Sequence, residues 1–423
     1  MGQIVSTVLL LLPLLLGLVT APPSHQVTNR TVASQTTARR LQARRVGAYE
    51  PVQIHLGYTG EDAGSVVVQW VTAAMASLSF VEWGPDRTSR WRGAANSTQC
   101  GPEYRVYPGW TGVLHRARMD GVASRRAYYY RVGSDDGMSA QRVFRAPGYA
   151  ESAATMLVAA DVGTSANAVL LWAQLRREVA TADVLMLAGG TANAGVSPQD
   201  HGSQGTWDNF FEQAEEVLTY LPVSVAVGSQ DAYSDPPFRP FNLRFPSAHS
   251  ISEDGSTSGS MAGFPNWYAY YMGPMRVVVV STEHCATSPR CVVQDAVAEN
   301  EQLAWLDAEL GYAGARRTRH RPWIVLVGHR PLYSSSQDHS PGDAQLRARM
   351  EPLIVRHGVD LALWGNTRQV RNSPSLSAAN ASLGLWLTNR AYWNGLNCAV
   401  RTNLASCSGA CPIWGCEHKC GSC

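Results

Sequence analysis

Two side chains able to hold a metal or move a proton close apolar runs in this chain. Asp161 ends TMLVAAD and His329 ends WIVLVGH. Three further runs of the same character finish at Gly190, Ser229 and Asn366. Continuous apolar runs of this length read as strands buried on both faces. In layered α/β proteins function gathers in the loops beyond the carboxyl ends of such strands, so these five positions are expected to converge on one cleft. Asp231, His201, His249 and His284 fall in or near the same loops, but no spacing marks them as ligands. A second concentration of reactive residues lies at the C-terminus, where Cys398, Cys407, Cys411, Cys416, Cys420 and Cys423 crowd around His418. Its outline is similar to a zinc knuckle, yet it lacks the paired C-x-x-C arrangement. Cys100, Cys285 and Cys291 are the other cysteines. In an oxidising compartment disulfides are expected among these nine, with at least one thiol left free or paired between chains.

The elements that position the five loops change rhythm along the chain. Residues 22–48 are rich in Ser, Thr, Gln and Arg, include Arg39, Arg40, Arg44 and Arg45, and read as a linker or pro-segment. Residues 49–148 read as a small β-sandwich. QIHLGY, SVVVQWVT, SLSFVEW, TGVLHRARM and RAYYYRVG are short strands with Gly, Pro and Asp between them. From residue 153 to 395, strands alternate with helices, which predicts a layered α/β domain. Its helices are expected over 167–179, 207–221, 299–310 and the DAQLRARMEPLIVRHG segment, where Leu346, Met350, Leu353, Ile354 and His357 share one face. LGLWLT at 383–388 reads as a further strand, and residues 396–423 as a Cys-rich tail.

Composition bounds the partners. Lys+Arg 35 against Asp+Glu 33 gives a net charge of +2, without the basic excess expected of a nucleic-acid-binding protein. The apolar run over residues 8–19 suits a signal-peptide core better than a membrane span, with cleavage after Ala21. An uncleaved signal anchor is the second reading. No later run is long enough to span a bilayer. Secretion, or residence in the secretory lumen, is therefore expected, and the triplets beginning at Asn29, Asn96 and Asn380 agree with it as glycosylation acceptors.

The motifs resemble, in order and spacing, those of the purple acid phosphatases within the metallophosphoesterase superfamily. The resemblance spans roughly residues 50–395. PVQIHLGY, SVVVQWVT and YYYRVGS are similar to that family's fibronectin-III-like front domain. NWYAYYMGPMRVVVVSTEH, ENEQLAWLDAEL, GHRPLYSSS and VDLALWG follow in the back domain. It implies a fibronectin-III-like sandwich followed by a calcineurin-like α/β sandwich. It also implies a dinuclear Fe/Zn/Mn centre built from five loop motifs, with one metal helping to generate a hydroxide and both clamping phosphate. Gly-Asp-x-Gly stands here as Ala160-Asp161-Val162-Gly163, keeping the ligand Asp161. Gly-Asp-x-x-Tyr stands as Gly189-Gly190-Thr191-Ala192-Asn193, so Gly190 replaces the bridging Asp and Asn193 the Tyr ligand. Gly-Asn-His-Glu stands as Gly228-Ser229-Gln230-Asp231, with Ser229 at a ligand position and Gln230 at a phosphate contact. Gly-His-Arg-Pro-x-Tyr is intact over residues 328–333, and Gly-His-x-His stands as Gly365-Asn366-Thr367-Arg368 with both His ligands gone.

On this pattern Asp161 and His329 would be left as vestiges on different metals. Two dications about 4 Å apart repel by about 16 kcal/mol at an effective dielectric near 20. Gly190 has no side chain to offset that, and Arg368 adds a fixed cation. No metal cofactor is expected, and a pseudo-phosphatase is the leading reading. Gln230, His329, Arg330 and Arg368 would then line a pocket for phosphate or another anion, or Arg368 would pair with Asp161 and plug it. The alternatives are an active acid phosphatase with a rebuilt metal site, and a secreted binding or decoy protein using the sandwich or the tail.

Overall fold

A computed structural model of the chain describes residues 47–58, 64–88, 90–99, 112–148, 154–195, 204–232, 237–245, 266–285, 291–318, 323–334, 342–366, 371–372 and 399–404. The front sandwich holds β1 (Val52–Tyr58), β2 (Ser65–Thr72), β3 (Ser79–Gly84), β4 (Trp91–Ala94), β5 (Asn96–Gln99), β6 (Val113–Asp120), β7 (Ala127–Ser134), β8 (Gly137–Met138) and β9 (Arg142–Arg145). One of its layers is β1-β2-β6-β5 and the other is β4-β3-β7-β8, with β9 also on β7. Alternate residues of each strand face between the layers, where Leu56, Val68, Trp70, Val81, Tyr130 and Phe144 pack together.

The back domain follows with β10 (Ala154–Ala159), α1 (Ala166–Glu178), β11 (Val184–Ala188), α2 (Gln204–Leu218), β12 (Val223–Ala226) and α3 (Arg239–Arg244). Then come β13 (Tyr268–Met272), β14 (Met275–Val279), α4 (Ala296–Ala315), β15 (Trp323–Gly328), α5 (Ala344–Arg356), β16 (Leu361–Trp364), β17 (Arg371–Asn372) and β18 (Ala399–Leu404). Two sheets stack here, and each carries helices on its outer face. Met156, Val158, Met186, Val277, Val279, Val325 and Val327 fill the space between the sheets. Their sequence neighbours Leu157, Ala159, Leu185 and Leu187 face α1 and α2, while Val278, Ile324 and Leu326 face α4 and α5. That division explains the unbroken apolar runs, because both faces of each strand are buried.

Two features depart from the expected plan. The domains are joined through a common sheet, since β12 pairs in parallel with β1 in the eight-stranded order β18-β10-β11-β12-β1-β2-β6-β5. Polar contacts reinforce the seam: Tyr130 donates to the Thr219 carbonyl at 2.8 Å, Gln53 N to Glu215 at 2.9 Å, and Arg142 pairs with Glu215 at 2.9 Å. In addition, residues 399–404, placed by sequence in the Cys-rich tail, form a strand that runs antiparallel along β10 from Ala154↔Leu404 to Ala159↔Ala399. The tail thus supplies the edge that would otherwise leave β10 unpaired. The 383–388 strand, the six tail cysteines, Cys100, Asn29 and Asn380 lie outside the described residues, whereas Asn96 is exposed on β5.

His115 on β6 lies inside the front domain, stacked on Trp70 with ring centroids 5.2 Å apart and bonded to Thr72 and Ser97 hydroxyls at 2.7 Å each. Burial lowers its pKa from 6.5 to about 4. The unfolded chain therefore takes up this proton first, and stability falls as pH drops from about 6.5 toward 4. The expected loss from this one group is about 2 kcal/mol at pH 5. Urea unfolding of His115→Gln at pH 7 and pH 5 should show a smaller pH dependence than the unmutated chain; equal dependence would remove this role.

Candidate functional site

The loops after β10, β11 and β12 are tied together by their own backbones. Asp161 N donates to the Gly189 carbonyl at 3.0 Å and Gly163 N to the Thr191 carbonyl at 2.9 Å. Asp231 pins the third loop, accepting from Gly228 N at 3.0 Å and from Thr191 N at 3.1 and 3.2 Å. It is fully buried, and desolvation pushes its pKa up to about 6 against those hydrogen bonds and the charge of His329. Asp231 is therefore a backbone pin. Three of the loop residues, Asp161, Asn193 and Asn366, hold φ values of 51°, 53° and 58°. Asp and Asn tolerate this left-handed region better than most residues.

Asp161 and His329, which the motif pattern assigns to different metals, touch each other. His329 Nε2 lies 3.2 Å from Asp161 Oδ1, and on its other side Nδ1 lies 3.0 Å from Glu283 Oε1. Burial alone would depress the imidazole, but the hydrogen bonds and charges of the two carboxylates outweigh it and hold its pKa up to about 10. Its Nε2 faces Asp161, while its Nδ1 faces both Glu283 and the Ser229 amide at 3.2 Å. Burial likewise pushes Glu283 up, and the charge of Arg330 with the bond from His329 wins, keeping its carboxyl below the usual range. The chain of charges continues from Glu283 to Arg330 Nε at 3.4 Å and from Arg330 Nη1 to Asp343 Oδ2 at 2.9 Å. Asp343 caps α5, accepting from Gln345 N and Leu346 N. Five groups of alternating sign thus run inward from the loops to a helix N-terminus.

This arrangement corrects one expectation. Arg330 does not face a cleft. Its side chain is 4% exposed and its donors are taken by Asp343, Glu283, the Thr282 carbonyl and the sulfurs of the Cys285–Cys291 disulfide. The side chain is held by these internal partners, which a buried guanidinium needs to offset its desolvation, and does not line a cleft for a phosphate. His329 is committed in the same way. Gln230 sits in the short 3-10 turn Ser229–Asp231, with Ser229 N 3.2 Å from His329 Nδ1. Asn366 follows β16 at the same end of the domain, and Arg368, His201 and His249 lie outside the described residues. His284 is buried against Phe238 and Trp267 and bonds Ser281 at 2.8 Å; burial lowers its pKa to about 4.

Glu283, Thr282 and Asp343 belong to the site and were not singled out from sequence. A signal existed for Glu283: it closely follows the apolar strand β14, a sixth strand end beside the five considered.

Gly190 lies against this pair. A Cβ there would sit 2.5 Å from Asp161 Oδ1 and 2.9 Å from its Cα, on a backbone at φ +62°. At Gly189, φ +78°, a Cβ would meet the His329 ring at 2.5 Å. Bare backbone is what allows the β11 loop to close over Asp161 and His329.

The family description "Purple acid Phosphatase, N-terminal domain" matches residues 51–146. The chain is 24% identical over 337 residues to the phosphoenolpyruvate phosphatase of Allium cepa, covering 78% of this chain and 64% of that protein. It is 27% identical over 345 residues to acid phosphatase type 7 of Danio rerio, covering 75% and 70%. These matches support membership of the purple acid phosphatase family. The fold of the chain agrees, with a TM-score of 0.60 to purple acid phosphatase PPD1 of yellow lupin at 20% identity, over 75% of this chain and 58% of that one. The chain spans 64% of the length of the onion relative. Among the described residues, the positions of the family's metal motifs hold Asp161, Gly190, Asn193, Ser229, His329 and Asn366. Asp161 and His329 are joined by a hydrogen bond, and among the described residues no group of three or more His, Cys, Asp or Glu is disposed to hold an ion.

Asp343→Ala would leave Arg330 buried without its anion and uncap α5. Removing one partner of a buried pair costs roughly 3–5 kcal/mol, while Asp343→Asn, which can still cap, is expected to lose less. Urea midpoints at constant slope check this order, and an Asp343→Ala loss below about 1 kcal/mol would contradict it.

Proposed function

We propose that this member of the family is a pseudo-phosphatase, retaining the fold without the dinuclear centre. The observation that carries the reading is the packing of Gly190 on Asp161. Where the motif pattern has a bridging carboxylate, a Cβ would stand 2.5 Å from Asp161 Oδ1. The backbone takes up the space through which a bridging side chain would enter. Asp161 and Glu283 meanwhile share the His329 imidazolium as their counter-charge, the part a metal cation would otherwise take. We further infer that the front sandwich is of the fibronectin-III-like type, and that the chain is secreted and glycosylated. The apolar run over residues 8–19 and the exposed Asn96 support the latter two.

Metal analysis of the purified full-length protein, with its visible spectrum and its turnover of p-nitrophenyl phosphate at acid pH, decides the matter. The expected result is less than one metal per chain, no colour and no turnover above buffer. Two metals per chain with hydrolysis would establish the alternative, an active acid phosphatase with a rebuilt site. Gly190→Asp restores the bridging residue type but is expected to gain no metal. Its left-handed backbone alone should cost about 1–3 kcal/mol, read as a lower melting temperature. A variant of unchanged stability that takes up iron or zinc would overturn the packing argument.

A further inference from the structure

The front sandwich carries a charged face remote from the metal positions. Val81 and Trp83 of β3 point into the core, so Glu82 between them points to the opposite face of the β4-β3-β7 layer. Register places Glu82 directly across from Arg92 on β4 and from Arg131 on β7. Arg92 Nη2 donates to Oε1 at 2.7 Å, Arg131 Nε donates to Oε2 at 2.7 Å, and Arg90 Nε lies 3.5 Å from Oε2. The carboxylate side chain is only 6% exposed, while the arginines remain 51%, 37% and 41% exposed. Arg87 in the adjoining loop is exposed too, its guanidinium carbon 5.2 Å from the Tyr129 ring centre. The Arg87 carbonyl accepts from Arg90 Nη1 at 2.9 Å and from Gln141 Nε2 at 3.1 Å, which holds the loop against the sheet.

Four guanidinium groups against Glu82 and the neighbouring Asp86 leave 4 − 2 = +2 on this face, equal to the formal charge of the whole chain. One carboxylate is matched by one guanidinium; gathering three around it leaves like charges side by side, which a partner of opposite sign would relieve. Arg92, Arg131 and Arg90 converge on the Glu82 carboxylate with their outer edges exposed, and Arg87 in the adjoining loop widens the cationic face beyond that point. A single phosphate would engage one or two of them, whereas charges repeated along an extended chain can engage all. Lys419 is the only lysine among the 35 basic residues of the sequence. Arginine's weaker hydration and planar fork suit sulfate and phosphate groups. Stacking of nucleic-acid bases is disfavoured, because the Tyr129 and Phe80 rings on this face already lie under Arg87 and Arg92, the latter at 3.9 Å.

We propose that the arginine face around Glu82 binds an extended sulfated polysaccharide, independently of any chemistry at the metal positions. The test uses the full chain and heparin as the probe, measuring affinity across a salt series. Arg87→Gln/Arg90→Gln leaves Arg92 and Arg131 to hold Glu82, and should weaken binding about tenfold at 0.15 M salt and lower the log–log salt slope by nearly two. Glu82→Gln removes the negative charge and should tighten binding. Arg176→Gln on α1 should change nothing. Unchanged melting temperatures show that each variant is folded; if Glu82→Gln is not, the double variant alone decides. No heparin binding at 0.15 M salt would overturn the proposal. So would binding insensitive to the double variant, or lost wholly on replacing Arg39, Arg40, Arg44 and Arg45. Tighter binding to anionic lipid vesicles or to polyuridylate than to heparin would assign the face to a different class of partner and would also overturn it.

Discussion

An imidazolium shared by two carboxylates is the interaction around which the centre of this protein is arranged. His329 lies between Asp161 and Glu283, and through Glu283 it is coupled to Arg330 and Asp343. Each of these groups is costly to bury alone, and each is made tolerable by a neighbour of opposite sign. The chain begins at the loop after β10 and ends at the N-cap of α5, on the far sheet of the domain. Two layers that are otherwise held by apolar side chains are therefore also locked by charge. That lock fixes the rotamers of the two residues which, in the family pattern, would face a metal.

Close approach of backbone makes the lock possible. The β11 loop passes over Asp161 and His329 at Gly189 and Gly190, where no side chain intervenes. Asp231 holds the same loop from the other side through the Thr191 and Gly228 amides. The replacements at the motif positions are thus not independent losses. Glycine at 190 and the contact between Asp161 and His329 support one another, since a larger residue would push them apart.

The two domains form one extended sheet rather than two separate cores. β1 of the sandwich pairs with β12, and α2 lies along the seam with Glu215 bonded to Gln53 and Arg142. The second layer of the sandwich reaches this seam through Tyr130 and Arg142. On the opposite face of that layer Arg90, Arg92 and Arg131 surround Glu82.

Strand and helix positions were legible because local physics sets them. Unbroken apolar runs such as TMLVAA and WIVLVG can only be satisfied by burial on both faces, and the spacing of Leu346, Met350 and Ile354 admits one helix face. The motif order placed Asp161, Gly190, Ser229, His329 and Asn366 at strand ends, and that is where the structure has them. The sequence could not show which side chains meet. Glu283 and Asp343 are separated from His329 by 46 and 14 residues, and Arg330 was expected in a cleft before its partners were known. Nor could it show that residues 399–404 return to β10, because a short polar strand carries little periodicity and is chosen by the open edge it covers. Residue type and spacing carried the resemblance to the purple acid phosphatases and the residue changes within its motifs. Pairing of buried charge, which depends on distance in space and not along the chain, was decided by the tertiary structure alone.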